Sequence, residues 1–142
     1  MQFYKMMRMK VVFKYFIFVC GIFSAVCTYA QKQGFDVFNP IAKYISQGNV
    51  DSLSPWLADN LEISIFSETG DVSKNQAKWI LKSFFDSYSP RSFTIDHTAG
   101  KGNMKYALGT LNAGGEKFFV TLFVNFNGKK YTIQQLKIER IH

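Results

Sequence analysis

The chain has 142 residues, 47% of them hydrophobic and 17% aromatic, and carries a formal charge of +7. That charge is unevenly placed: Lys5, Arg8, Lys10 and Lys14 sit in the first thirty residues without an acid, which leaves residues 31–142 with thirteen Lys and Arg against ten Asp and Glu, a net +3. So even a balance excludes the broad basic surface that nucleic-acid binding needs, and 112 residues suffice for one hydrophobic core and no more.

In chain order, the four basic residues precede an uncharged apolar stretch from Tyr15 to Cys27, which is the plan of a secretory signal. The stretch falls short of the roughly 20 residues a membrane-crossing helix needs, and Ala30 supplies the small residue at the cleavage junction. The expectation is a signal peptide over 1–30, cleavage after Ala30, and a single α+β domain over 31–142 with no stable membrane insertion afterwards. An uncleaved anchor is the alternative. A lipid-modified cysteine fits poorly, because Ser24-Ala25-Val26 precedes Cys27 and Ile17-Phe18-Val19 precedes Cys20. Both cysteines lie in the segment to be removed, so the mature chain has no disulfide, no thiolate nucleophile and no thiolate metal ligand.

From Asp36 to Gln47, the residues Val37, Phe38, Ile41, Ala42, Tyr44 and Ile45 recur at spacings of three and four, and Gly48-Asn49 follows as a stop. This predicts an amphipathic helix, with Pro40 in its first turn, where a missing N–H costs least. A shorter helix is predicted to place Val50, Leu53, Trp56 and Leu57 on one face, capped by Asn49 or Asp51. Leu61, Ile63 and Ile65 then alternate with Glu62, Ser64 and Phe66 at strand period, before turn chemistry at Glu68-Thr69-Gly70-Asp71. Ser73 and Gln76 form a capping-box pattern ahead of a stripe of Ala77, Ile80, Leu81, Phe84, Phe85 and Tyr88, and Pro90 blocks continuation.

The remainder reads as sheet: 92–98, 104–112, 117–126 and 131–140, separated by Gly100-Lys101-Gly102, Gly114-Gly115 and Asn127-Gly128. Three turn clusters between four β-rich runs predict an antiparallel meander. Tyr131 and Ile133 fall on one alternation phase, Leu136 and Ile138 on the other, which a bulge near Gln134-Gln135 reconciles.

The predicted order is therefore α-α-β-α-β-β-β-β, with helices packed on a curved antiparallel sheet that leaves a cone. This order, with the Trp56-Leu57 segment and the Asn-Gly hairpin, resembles the nuclear transport factor 2-like (NTF2-like), cystatin-like α+β superfamily. More narrowly, Lys74-Asn75-Gln76-Ala77 leading to Phe84-Phe85, then Gly102-Asn103-Met104-Lys105-Tyr106-Ala107 and the closing Gln135-Leu136-Lys137-Ile138-Glu139-Arg140, resemble the secreted bacterial family called domain of unknown function 4783 (DUF4783). The resemblance runs from Phe35 to Arg140. It implies the cone fold and an exported location, periplasmic or extracellular in a Gram-negative bacterium, and it carries no functional residues.

The acid–base candidates are Asp96, His97 and Glu116, with His97 the one histidine inside the domain body, since His142 ends the chain. In regular strand geometry Asp96 and His97 point to opposite faces, and His97 shares its face with Phe93 and Ile95 as a half-buried core histidine. Neither a metal-ligand spacing nor a Gly-x-Ser-x-Gly elbow occurs, so no metal and no cofactor are expected. The glycines of Gly100-Lys101-Gly102 join two strands and read as a turn rather than a phosphate loop. Strand alternation sends Phe118 to one face and Phe119 and Phe123 to the other, so one set faces away from the helices, as a patch or as a homodimer contact through the sheet face. Lys101, Lys105, Lys129, Lys130 and Lys137 read as edge guards, not as a nucleic-acid surface.

The leading expectation is a non-enzymatic exported binding or interaction module, holding a small apolar ligand in the cone or engaging a protein or peptide. Trp56, Trp79, Phe84, Tyr88, His97 and Tyr106 are the residues expected near the pocket. The second reading is a small hydrolase, isomerase or dehydratase with His97 or Asp96 as general base in the cone. A third is peptide capture by strand addition at a sheet edge.

Overall fold

The computed structural model describes residues 34–142, so the expected signal over 1–30 lies outside the described residues. The fold is that of the compact unit Val37–His142.

Helix α1 (Phe38–Gln47) buries Phe38, Ile41 and Ile45, the three- and four-residue spacing that makes a single apolar stripe. It ends at Gly48, whose φ of 63° lets its N–H reach Ile45 O at 3.0 Å while the Asn49 N–H reaches Tyr44 O at 2.9 Å. Helix α2 (Val50–Leu53) is capped by the Asn49 side chain, which accepts from the Ser52 N–H at 3.1 Å. It is shorter than the spacing of Trp56 and Leu57 predicts. Pro55 has no N–H and its ring collides with the turn before it, so the chain tightens into a 3₁₀ turn (Ser54–Trp56) and Leu57 becomes the first strand residue.

Strand β1 (Leu57–Ile65) turns through Phe66-Ser67 into β2 (Glu68–Ser73). The second strand is an addition to the predicted order: its polar residues read as turn chemistry, but the backbone pairs with β1 from Ile65↔Glu68 to Asn60↔Ser73. Helix α3 (Lys74–Ser87) opens on the expected capping box, with Gln76 N–H to Ser73 Oγ at 3.2 Å and Ser73 N–H to Gln76 Oε1 at 3.1 Å. Its buried face is Ala77, Leu81, Phe84 and Phe85. Among the described residues no helix is long and apolar enough to cross a membrane.

Four strands complete the sheet: β3 (Pro90–Lys101), β4 (Met104–Ala113), β5 (Glu116–Phe126) and β6 (Tyr131–Arg140). They form the expected meander, and the order across the sheet is β2-β1-β6-β5-β4-β3. Every neighbouring pair is antiparallel except β1 and β6, which run parallel because the last strand returns beside the first. Register confirms the bulge in β6: Phe123 pairs with Gln135 and Val124 with Ile133, so Gln134 is the extra residue. That insertion lets Ile133 and Leu136 both reach the core.

Helix α1 lies against β3 and α3 against β1. The helix-facing side of the sheet contributes Leu111, Phe118, Val120, Leu122, Val124, Leu136 and Ile138, all at 1% exposure or less. Each such side chain stabilises the fold by about 1.5–3 kcal/mol relative to an exposed one.

Candidate functional site

Inside the cone, the space between α3 and the sheet is filled by rings. Phe118 lies 5.4 Å from Phe84 and 5.2 Å from Tyr88, centroid to centroid, and Phe84 lies 5.6 Å from Phe85. Edge-on and tilted contacts at these distances are the favoured aromatic geometry. Among the described residues the buried side chains are apolar apart from Ser64 and Thr132, and no Asp, Glu or His is buried. Ser64 Oγ shares a hydrogen bond with Thr69 Oγ1 at 2.9 Å, and Thr132 Oγ1 accepts from Gln134 Nε2 at 3.0 Å.

Phe66 closes this cluster from an unexpected direction. On strand alternation it belongs with Glu62 and Ser64, away from the core. Instead it occupies the first position of the two-residue β1–β2 turn with φ of 57°, a left-handed conformation that glycine adopts readily and a bulky residue seldom does. Such a conformation costs on the order of 1–3 kcal/mol. It delivers the ring to within 6.2 Å of Phe84, 6.1 Å of Tyr88 and 6.0 Å of Phe118. Arg140 covers the ring, its guanidinium carbon 4.3 Å from the centroid. The same guanidinium donates from Nη2 to Tyr88 Oη at 2.7 Å and lies 3.8 Å from Glu116 Oε2 through Nε.

Two open grooves flank Phe66. One, of about 450 Å³, runs between α3 and the β1–β2 hairpin and is walled by Phe66, Trp79, Ile80, Phe84 and Tyr88 with Glu68 at its margin. The other, of about 460 Å³, is bounded by Phe66, Phe119, Glu139, Arg140 and His142.

The six expected pocket residues do not converge. Phe84 and Tyr88 meet in the ring cluster, and Trp79 lies on the outer wall of the α3 groove, 72% exposed. Trp56 is half-buried in the 3₁₀ turn, and His97 and Tyr106 lie on the sheet face turned away from the helices. The placement of His97 among Phe93 and Ile95 is corrected by a bulge. Ile95 pairs with Gly109 and His97 with Leu108, so Asp96 is an extra residue and the alternation reverses behind it. Asp96 and His97 are consequently both exposed outside the cone, where Asp96 accepts from Thr110 Oγ1 at 2.6 Å. Glu116 stands at the β4–β5 turn on the strand phase of Phe118, exposed at the rim beside Arg140 rather than among the rings. The general base expected in the cone is thus absent from it. Among the described residues no group of three or more His, Cys, Asp or Glu is placed to hold a metal ion.

The outer sheet face carries its own apolar stripe. Tyr106 and Phe123 pair across β4 and β5 with rings 6.0 Å apart and nearly parallel at 12°, and Phe119 stands 41% exposed on the same strand face. His97 approaches Tyr106 at 6.2 Å. Polar pairs frame the stripe: Asn112 Nδ2 to Ser92 Oγ at 2.8 Å on one flank, and Lys137 Nζ to Glu139 Oε1 at 3.1 Å with Gln135 Nε2 to Glu62 Oε1 at 3.0 Å on the other.

A family model described as a domain of unknown function, DUF4783, matches residues 38–139. The chain belongs to this family. The fold agrees with a DUF4783 protein of Bacteroides uniformis, at a TM-score of 0.70 and 22% identity over 73% of this chain and 96% of that one. A DUF4783 protein of Bacteroides fragilis gives 0.68 and 24% over 72% and 96%. An NTF2-like protein of Cytophaga hutchinsonii gives 0.61 and 14% over 78% and 98%, which places the domain in the NTF2-like fold. Among curated proteins, none matches.

Two residues of this DUF4783 domain that organise the site, Phe66 and Arg140, carry weak signals in sequence. An aromatic at a polar strand phase, immediately before Ser67-Glu68-Thr69-Gly70, is the trace of Phe66 leaving the strand. Arg140 shares the phase of Leu136 and Ile138, which is the trace of its facing inward over the rings.

Proposed function

We propose that this domain is an exported, non-enzymatic interaction module that works through the outer face of its sheet, with a second copy of the chain as its partner. The observation that carries the reading is the stripe of Tyr106, Leu108, Phe119 and Phe123, apolar at the middle of β4 and β5 and bordered by hydrogen-bonded polar pairs. An aromatic centre depleted of charge within a polar rim is the composition of an interface, and interfaces between identical chains are the more apolar kind. The face fits itself because its middle strands present Thr121, Leu108 and the rings rather than like charges that would repel. Export rests on the charged-then-apolar plan of residues 5–27.

Acid–base catalysis in the cone finds no support in the placement of Asp96, His97 and Glu116, which face solvent outside a ring-filled interior. The test is sedimentation equilibrium of the purified protein beside a Phe119→Glu variant. A dimer at micromolar concentration that the variant dissolves, with unchanged circular dichroism, is the expected result. A native protein that stays monomeric through the millimolar range removes the reading.

A further inference from the structure

One end of the sheet is basic, and its lysines do not stand where edge protection would need them. The tips of two hairpins meet there, the β3–β4 turn at Gly102-Asn103 and the β5–β6 loop 127–130, tied by a 3.0 Å hydrogen bond from the Phe126 N–H to the Asn103 carbonyl oxygen. Lys101, Lys105, Lys129 and Lys130 lie on or beside these tips. The sheet order puts β4, β5 and β6 in the interior, so of the four only Lys101 belongs to an edge strand. Guarding an edge therefore does not account for the other three.

The two hairpins bring no acid to this end. From residue 97 to 138 the one acid is Glu116, which pairs with Ala113 at the opposite end of β4 and β5. On β1, Asp59 faces Lys74 at 3.5 Å. Lys130 Nζ donates to the Pro55 carbonyl oxygen at 3.1 Å and Lys105 Nζ lies 5.6 Å from the centre of the Tyr131 ring, partners that hold the amines in place and carry no formal charge. Lys101, Lys129 and Lys130 are exposed. Apolar groups share the same end: Met104, paired with Lys101, is 49% exposed, and the half-buried rings of Phe126 and Tyr131 meet at 5.1 Å. Trp56, half-buried, adjoins the Pro55 that Lys130 reaches.

We propose that this end of the sheet docks on the surface of an anionic phospholipid bilayer, with the lysine ammonium groups among the lipid phosphates and Met104 at the boundary of the acyl chains. The charge selects an anionic surface. The apolar groups select a bilayer over a soluble polyanion, which offers phosphates but nothing for a methionine to enter. Lysine suits this arrangement because its aliphatic stem lies along apolar surface while its head stays in water, and Trp and Tyr rings favour the headgroup level. Such docking is peripheral and needs no spanning segment.

The experiment is co-sedimentation of the intact protein with vesicles of phosphatidylglycerol and phosphatidylcholine, beside vesicles of phosphatidylcholine alone. Three proteins are compared: the native chain, a variant carrying Lys101→Gln, Lys129→Gln and Lys130→Gln, and a control carrying Lys43→Gln, Lys82→Gln and Lys117→Gln, which loses the same charge from exposed positions elsewhere. The native chain is expected to bind the anionic vesicles alone and to be released by raised salt, the tip variant to bind roughly a hundredfold more weakly, and the control to stay within about threefold of native. Unchanged circular dichroism shows that each variant keeps the fold. Met104→Ser is expected to weaken vesicle binding severalfold and to leave any capture by long-chain polyphosphate unaltered. Equal losses in the tip variant and the control overturn the location, as does vesicle binding that the tip variant retains, the basic residues 5–14 then being its source. Polyphosphate held as tightly as vesicles, with no effect of Met104→Ser on either, overturns the bilayer as partner, and no binding to anionic vesicles overturns the proposal.

Discussion

The guanidinium of Arg140 lies 4.3 Å from the centre of the Phe66 ring, joining the last strand to a turn whose backbone is held at a left-handed φ of 57°. The same group donates to Tyr88 at the end of α3, so one side chain ties hairpin, helix and closing strand together. Because Arg140 is 45% exposed, its ion pair with Glu116 at 3.8 Å contributes little, and the ring contact and the Tyr88 hydrogen bond carry the effect. Arg140→Ala is expected to lower unfolding stability by about 1–2 kcal/mol, with Arg140→Lys recovering less than half. Urea denaturation followed by circular dichroism measures this, and a loss fully restored by lysine would show that charge alone suffices.

Phe66 carries opposing terms: its ring packs, its backbone strains. Phe66→Gly loses the packing and relieves the strain, whereas Phe66→Ala loses the packing and keeps it. Both variants are expected to be less stable than the native chain, with glycine above alanine by about 1 kcal/mol. Equal stabilities in thermal or urea unfolding would mean that the turn relaxes to a negative φ once the ring is gone.

Gly109 sits in the middle of β4 where Phe93 crosses it. A Cβ there would fall 2.6 Å from Phe93 Cζ and 2.7 Å from the Thr94 carbonyl oxygen. Ring and backbone cannot both retreat without opening the β3–β4 ladder beside the Asp96 bulge. Gly109→Ala is therefore expected to cost about 1–3 kcal/mol, while Gly70→Ala, with open space around its Cβ, serves as the control near zero. Hydrogen exchange of β3 amides locates the damage: it should quicken there first, and uniform loss across the sheet would contradict the local clash.

Much of the architecture was legible along the chain. The stripe of α1, the capping box of α3, the meander and the bulge at Gln134 follow from contacts and hydrogen bonds that span a few residues, so spacing alone reveals them. Strand β2 was not legible, because an exposed edge strand is held by the ladder hydrogen bonds of its neighbour and needs no apolar alternation. The Asp96 bulge was hidden for a related reason. Beyond Ile95 both phases of β3 carry polar or small residues, Asp96, His97, Thr98, Ala99 and Gly100, so nothing in the pattern after the Phe93–Ile95 phase marks the step that moves His97 to the outer face.

By itself, then, the sequence determined the α+β class, the order of the helices and of every strand but β2, and the division of Phe118 from Phe119 and Phe123, since each depends on side-chain period and local turn chemistry. Only the tertiary structure decided the parallel pairing of β1 with β6, the crossing of Arg140 over Phe66, and the emptying of the cone of every candidate base. These depend on residues far apart in the chain meeting at one place. A ring can accept a strained backbone at one end of a hairpin only because a helix and a strand from elsewhere close around it.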